Sequence, residues 1–203
     1  MKKRIQITVT LVLIACFLCS LAVVMEFAQQ KRNIIRLHVV GASDSEADQA
    51  VKLLVRDAVL SCVSDDLSLC KTAEEARQCL IKNLQSIENA AADTLRNNGM
   101  ESDVRISLGK EAFPVRDYET FSLPSGVYQS LRIEIGEAEG RNWWCVVFPS
   151  FCYGVSTDDF RSVAAGSGFS EPLTDTLAGD REYKLSFLLL DFLGRLENFF
   201  HFG

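Results

Sequence analysis

The sequence predicts an α+β fold: one mainly antiparallel sheet packed with two N-terminal helices and one C-terminal helix, preceded by an N-terminal apolar leader or anchor helix. Three observations carry that expectation. Apolar residues recur at helical spacing in two consecutive stretches, switch to every second residue beyond Gly99, and return to helical spacing at the C-terminus.

The leader comes first. Met1-Lys2-Lys3-Arg4 is a basic head, and residues 5–25 run without a charge, long enough to cross a bilayer core as a helix. Basic residues stay on the cytoplasmic side, which places the rest of the chain outside. Residues 1–28 therefore read as a signal peptide or membrane anchor. Ser20-Leu21-Ala22 offers small residues at the two positions a signal peptidase reads, Leu13-Ile14-Ala15-Cys16 resembles a lipoprotein box, and an uncleaved anchor is the third fate.

Residues 34–155 form the expected core. The run 34–40 (IIRLHVV) is rich in branched apolar residues and reads as a strand, and Gly41-Ala42-Ser43-Asp44 turns it into a helix. Ser43 with Glu46 fits a capping box, and Asp44 adds negative charge at the positive helix end. Along residues 45–63, Ala47, Val51, Leu54, Ala58 and Cys62 form the stripe expected to face the core. Asp48, Lys52 and Arg56 form a polar row on the other side. A second helix begins at Thr72, with Glu75 completing another capping box. It carries Ala76, Leu80, Leu84, Ile87, Ala91 and Leu95 inward and stops at Gly99. Val104, Ile106 and Leu108 then alternate with polar residues. Residues 127–148 read as a β-hairpin through the polar connection 137–141. Residues 156–182, rich in Ser, Gly, Asp and Thr, read as a flexible linker. Residues 183–203 read as an amphipathic helix packing on the domain through Leu185, Leu188, Leu189, Phe192, Leu196 and Phe199.

Charge narrows the function classes. The chain carries a net charge of −6, and setting aside Lys2, Lys3, Arg4 and Glu26 leaves 18 basic and 26 acidic groups, a net of −8. An acidic domain without a basic stripe argues against nucleic acid and against peripheral binding to anionic lipid, so membrane contact is expected only through the N-terminal segment. Five cysteines lie beyond the leader: Cys62, Cys70, Cys79, Cys145 and Cys152. No Cys-x-x-Cys pair and no Cys/His cluster of metal spacing occurs among them. Neither a metal nor a cofactor is expected. Cys145 and Cys152 flank Phe148-Pro149, where a bend would bring them within bridging distance, and export would let a disulfide persist.

Catalytic signatures are missing: the sequence has no phosphate-binding glycine loop, Gly-x-Ser-x-Gly elbow or His-Glu-x-x-His. The alternative to a non-enzyme is a small extracytoplasmic hydrolase using His38 with Ser43 or Cys145. In Asn142-Trp143-Trp144-Cys145, the adjacent tryptophans of a strand point to opposite faces, so one of them is available to a loop or a partner. The expected partner-binding set is His38, Ser43, Asp44, Asp48, Lys52, Arg56, Asn142, Trp143 and Trp144.

His38-Val39-Val40, Ser43-Asp44-Ser45, Asp48-Gln49 and the run 52–60 (KLLVRDAVL) resemble the opening block of the stage II sporulation protein R family. Phe113-Pro114, Tyr118 and the run 123–128 (LPSGVY) resemble its middle. The run 140–149 (GRNWWCVVFP), closed by Cys152, is similar to its most distinctive stretch, and residues 183–192 resemble its terminal helix. Ala42 departs from the family pattern, which usually has Asn there. The resemblance implies an exported signalling protein of endospore formation. Such a protein acts between forespore and mother cell on a membrane-embedded aspartic protease that processes the sigma-E precursor.

Overall fold

The structure, a computed structural model, describes residues 2–152, 156–178 and 184–202. It is α+β and divides into two compact units, one of residues 32–111 and 128–155, the other of residues 1–31, 112–127 and 156–203.

The first unit is built on strands β1 (Ile35–Val40), β2 (Val104–Phe113), β5 (Gly126–Ile135) and β6 (Asn142–Phe148), in the order β2-β5-β1-β6. β1 runs parallel to β5 and antiparallel to β6. Asp103 pairs with Gly136, Arg105 with Glu134 and Glu111 with Arg132, so β2 and β5 run in opposite directions. β5 and β6 are thus not the hairpin the alternation suggested, because β1 lies between them. All six residues of β1 are buried, and so fully buried a strand is best satisfied with a neighbour on each edge. The connection 136–141 is correspondingly longer than a two-residue hairpin turn, with Gly136 and Ala138 at φ of 56° and 57°.

Two helices, α2 (Glu46–Ser68) and α3 (Ala73–Asn97), cover one face of this sheet. Leu37, Val39, Leu131, Ile133, Cys145 and Val147 meet Val51, Val55, Val59 and Val63 of α2 and Leu80, Ile87, Ala91 and Leu95 of α3. Each fully buried aliphatic side chain contributes ~1.5–3 kcal/mol. The face of α2 differs from the expected stripe. The core row is the four valines spaced four apart, Leu54 is exposed, and Lys52 is buried at 4%. Rotation by one position, about 100°, is enough to exchange these roles. The cap also moves, from Ser43 to Ser45, whose hydroxyl accepts from Asp48 N and donates back to the Asp48 carboxylate. α3 is capped by Thr72, whose hydroxyl accepts from Glu75 N. It ends in paired bonds from Gly99 N to Arg96 O and from Met100 N to Leu95 O, with Gly99 at φ 72°.

The second unit contains α1 (Lys2–Gln30), the short pair β3 (Arg116–Asp117) and β4 (Ser122–Leu123), α4 (Thr157–Gly166), α5 (Glu171–Leu177) and α6 (Lys184–Phe202). Apolar side chains from Ile5 to Leu21 are exposed, and the helix is long and apolar enough to cross a membrane. Its last turns are part of the fold. Val23 and Phe27 are buried, and the Glu26 carboxylate accepts from Ser170 N at 2.7 Å and from the Ser170 hydroxyl. Gln30 Nε2 donates to Gly168 O at 2.8 Å, and Lys31 pairs with Glu197.

The stretch 156–182 contains two capped helices where a linker was expected. Ser156 and Ser170 accept from Asp159 N and Leu173 N, and Phe160, Ala164, Phe169, Leu173 and Leu177 are buried. The serines that made the segment look like a loop are its helix caps. Phe160 stacks on Phe121 at 4.6 Å beside the β3–β4 turn.

α6 is held through its polar side. Asp191 accepts from Ser125 N and Oγ at 3.1 and 2.6 Å, and Asn198 donates to Phe113 O at 2.8 Å. A Cβ on Gly194 would lie 1.6 Å from Ser125 O. Leu188, Phe192, Leu196 and Phe199, expected to face the domain, point outward instead. Leu185 lies among residues whose side chains are not described.

Candidate interaction site

β1 ends at Val40, opposite Asn142 at the start of β6. Around that end converge the turn 41–45, the first turns of α2 and the connection 136–141. Gly140 must be glycine: a Cβ there would lie 2.3 Å from Ser43 O, and its N–H donates to Gly41 O at 2.9 Å. Arg141 N donates to Asp44 Oδ1 at 2.7 Å, and the Arg141 guanidinium reaches the same oxygen at 3.5 Å. Both side chains are well exposed, at 68% and 65%.

Beneath this surface lies a latch. Lys52 Nζ donates to Gln49 Oε1 at 2.6 Å and to Arg141 O at 2.9 Å, while Gln49 Nε2 donates to Ser43 O at 2.8 Å. Burial lowers the pKa of the Lys52 amine, helped by the charge of Arg141 and opposed by Asp44. Ser43 donates to Asp48, and Ser45 N donates to Ser43 Oγ at 3.1 Å. Ser43, Asp48 and Lys52 are therefore fastenings of the loop and not a free polar face. Arg56 lies with its Cζ 4.7 Å from the centroid of the Trp143 ring and bonds Asp57.

The sheet face away from α2 and α3 carries a cluster of hydrogen-bonded polar side chains. His38, 5% exposed, has Nδ1 at 2.8 Å from Glu111 Oε1 and Nε2 at 2.8 Å from Asn142 Oδ1. Its ring stacks on Trp144 with centroids 5.2 Å apart. Arg132 bonds the same Glu111 oxygen and pairs with Glu134, which Arg105 also reaches. Burial pushes the Glu111 carboxyl up, but the His38 hydrogen bond and charge, with Arg132 beside them, outweigh burial and hold it at about 2. Trp143 and Trp144 point to opposite faces, and both are half-buried.

Of the two nucleophiles of the hydrolase alternative, Cys145 is tied up. Cys145 is disulfide-bonded to Cys152, with Cα atoms 5.3 Å apart, and it pairs with Leu37 on the helix-covered face, whereas His38 pairs with Trp144 on the other. The Ser43 hydroxyl donates a hydrogen bond to the Asp48 carboxylate. No group of three or more His, Cys, Asp and Glu residues suited to a metal occurs among the described residues.

The structure thus joins His38, Asn142 and Trp144 in one cluster and Ser43, Asp44, Asp48 and Lys52 in an adjoining one. Arg56 and Trp143 sit on the helix side. Sequence reasoning missed Glu111, Arg132 and Arg141. The alternation Leu131-Arg132-Ile133 does put Arg132 on the face opposite the core, but its meeting with His38 depends on the β5–β1 pairing.

These features define a class: an α+β protein with an N-terminal apolar helix long enough to cross a membrane. Residues 31–158 match the family described as stage II sporulation protein R, and the chain belongs to that family. The protein named stage II sporulation protein R in Bacillus subtilis (strain 168) is 34% identical over 119 residues, 59% of this chain and 53% of the relative. The chain thus matches about half the length of that curated relative. No solved structure matches it.

Proposed function

We propose that this chain is an exported sporulation signal. It activates a membrane-embedded aspartic protease, from the space between forespore and mother cell, to process the sigma-E precursor. The observation that carries this reading is the family match over residues 31–158, placed directly behind a helix able to serve as signal or anchor. An activator acts by binding the active state of its target more tightly than the inactive one. Asp44, Arg141 and Asn142 form the exposed rim offered to the partner, with His38, Glu111 and Arg132 fixed behind them. Charged rims of this kind steer encounter and set specificity. On this reading the chain itself performs no catalysis.

The test is reconstitution. The protease and sigma-E precursor are placed in vesicles and the chain is supplied on the extracytoplasmic side. The expected result is cleavage of the precursor only when the chain is present. Cleavage at the same rate without it would overturn the proposal.

A further inference from the structure

α6 exposes most of its large apolar side chains and, Leu190 apart, is held to the fold through polar ones. Asp191, Glu197 and Asn198 face the unit to which the helix belongs, where they bond Ser125, Val127 N, Lys31 and Phe113 O. The opposite side presents Leu188, Phe192, Leu196, Phe199 and Phe200, at 63%, 58%, 41%, 74% and 76% exposure. Positions 188, 192, 196 and 199 follow the i, i+4, i+8, i+11 spacing of one helical stripe. Gly194, 180° or so around the helix from it, is clamped against Ser125 O. A contiguous exposed apolar stripe of this size marks an interaction surface.

We infer that this stripe lies in the interface of the same bilayer that α1 enters, giving the protein a second membrane contact. The inference rests on α1 acting as an anchor. α6 packs beside α1, and Glu197 is tied to Lys31. Met25, the last exposed large apolar residue of α1, lies six residues before Lys31, about 9 Å along a helix axis. That holds Lys31, and the Glu197 tied to it, about 9 Å beyond the end of the apolar segment, near the headgroup layer in which amphipathic helices lie. Arg195, 67% exposed at its side chain, sits at the stripe's edge, where a long cation can snorkel to the surface. The contact is apolar in origin, consistent with an acidic protein.

The test uses the full chain in phosphatidylcholine vesicles, with the photo-reactive residue benzoylphenylalanine placed singly at Phe192, Phe199 or, within α1, Ile14. These side chains point outward, so folding is preserved and is checked by circular dichroism. The expected result is lipid adducts at positions 192 and 199 with yields within about ten-fold of that at position 14. No lipid adduct at 192 and 199, or cross-linking there to a second copy of the chain, overturns the inference whatever position 14 shows.

Discussion

The two units dispose of polarity in opposite ways. In the unit of residues 32–111 and 128–155, apolar side chains close the space between sheet and helices. The polar groups His38, Glu111, Arg132 and Glu134 occupy the other sheet face, tied to one another. In the second unit, α6 points Asp191 inward and turns Phe192, Phe199 and Phe200 outward. The first arrangement suits a domain in water that presents charge to a partner. The second suits a surface that something other than water covers. Hydrophobic patterning alone does not distinguish them, since apolar residues recur at helical spacing in both α2 and α6.

Substitutions at the points where each unit is fastened sharpen this contrast, and the largest effect is expected at Gly194. Gly194→Ala forces a Cβ to within 1.6 Å of a backbone oxygen and should cost more than ~3 kcal/mol, detached as α6 would be. Limited proteolysis should cut residues 184–202 in the variant and spare them in the wild type; equal resistance would show that the clamp is dispensable.

Lys52→Glu comes next. It buries an unpaired carboxylate against Arg141 O and should destabilise by ~3–5 kcal/mol in urea unfolding, whereas Lys52→Met should lose ~1–2 kcal/mol. A fully stable Lys52→Glu protein would return this residue to the solvent face.

A chimera carrying a foreign leader in place of residues 1–22 should retain wild-type stability. Extending the exchange to residue 28 removes Val23, Glu26 and Phe27 and should lower stability by ~3 kcal/mol or more. Identical melting of the two chimeras would show that the end of α1 adds nothing.

Glu111 sets a pH window. Its folded pKa, about 2, lies below the ordinary 4.5, so its contribution is fully present above the ordinary value and is lost as pH falls toward 2. Urea unfolding from about pH 5 down to about pH 2 should show wild type losing 1–3 kcal/mol more than Glu111→Gln, a partly exposed site being screened. Parallel curves would contradict the depressed pKa. The smallest effect is expected at Arg56→Glu, which removes a half-buried contact with Trp143 worth ~0.5–1 kcal/mol.

How much of this was legible in the sequence follows from where the information resides. Local signals identified α3 well: Thr72, the spacing from Ala76 to Leu95 and Gly99 all act within the helix. α2 was legible as a helix but not as a face, because Leu54 and Val55 are equally apolar and only tertiary contact selects the valine row. The β5–β6 hairpin reading failed because insertion of β1 between the strands is a long-range event. Short α4 and α5 lacked enough turns to show a period. Of the candidate site, His38, Asp44 and Asn142 were legible as polar residues next to a strand end. Glu111 and Arg132 acquire meaning only through the sheet order β2-β5-β1.

If the surface at the end of β1 delivers activation, as we propose, a charge reversal there must uncouple the protein from the protease. Asp44 and Arg141 are exposed, so Arg141→Glu should change unfolding stability by no more than ~1 kcal/mol. Precursor cleavage in the reconstituted system should nevertheless fall at least ten-fold, a loss of ~1.4 kcal/mol or more in coupling to the protease. Full cleavage driven by a stable Arg141→Glu protein would contradict the claim.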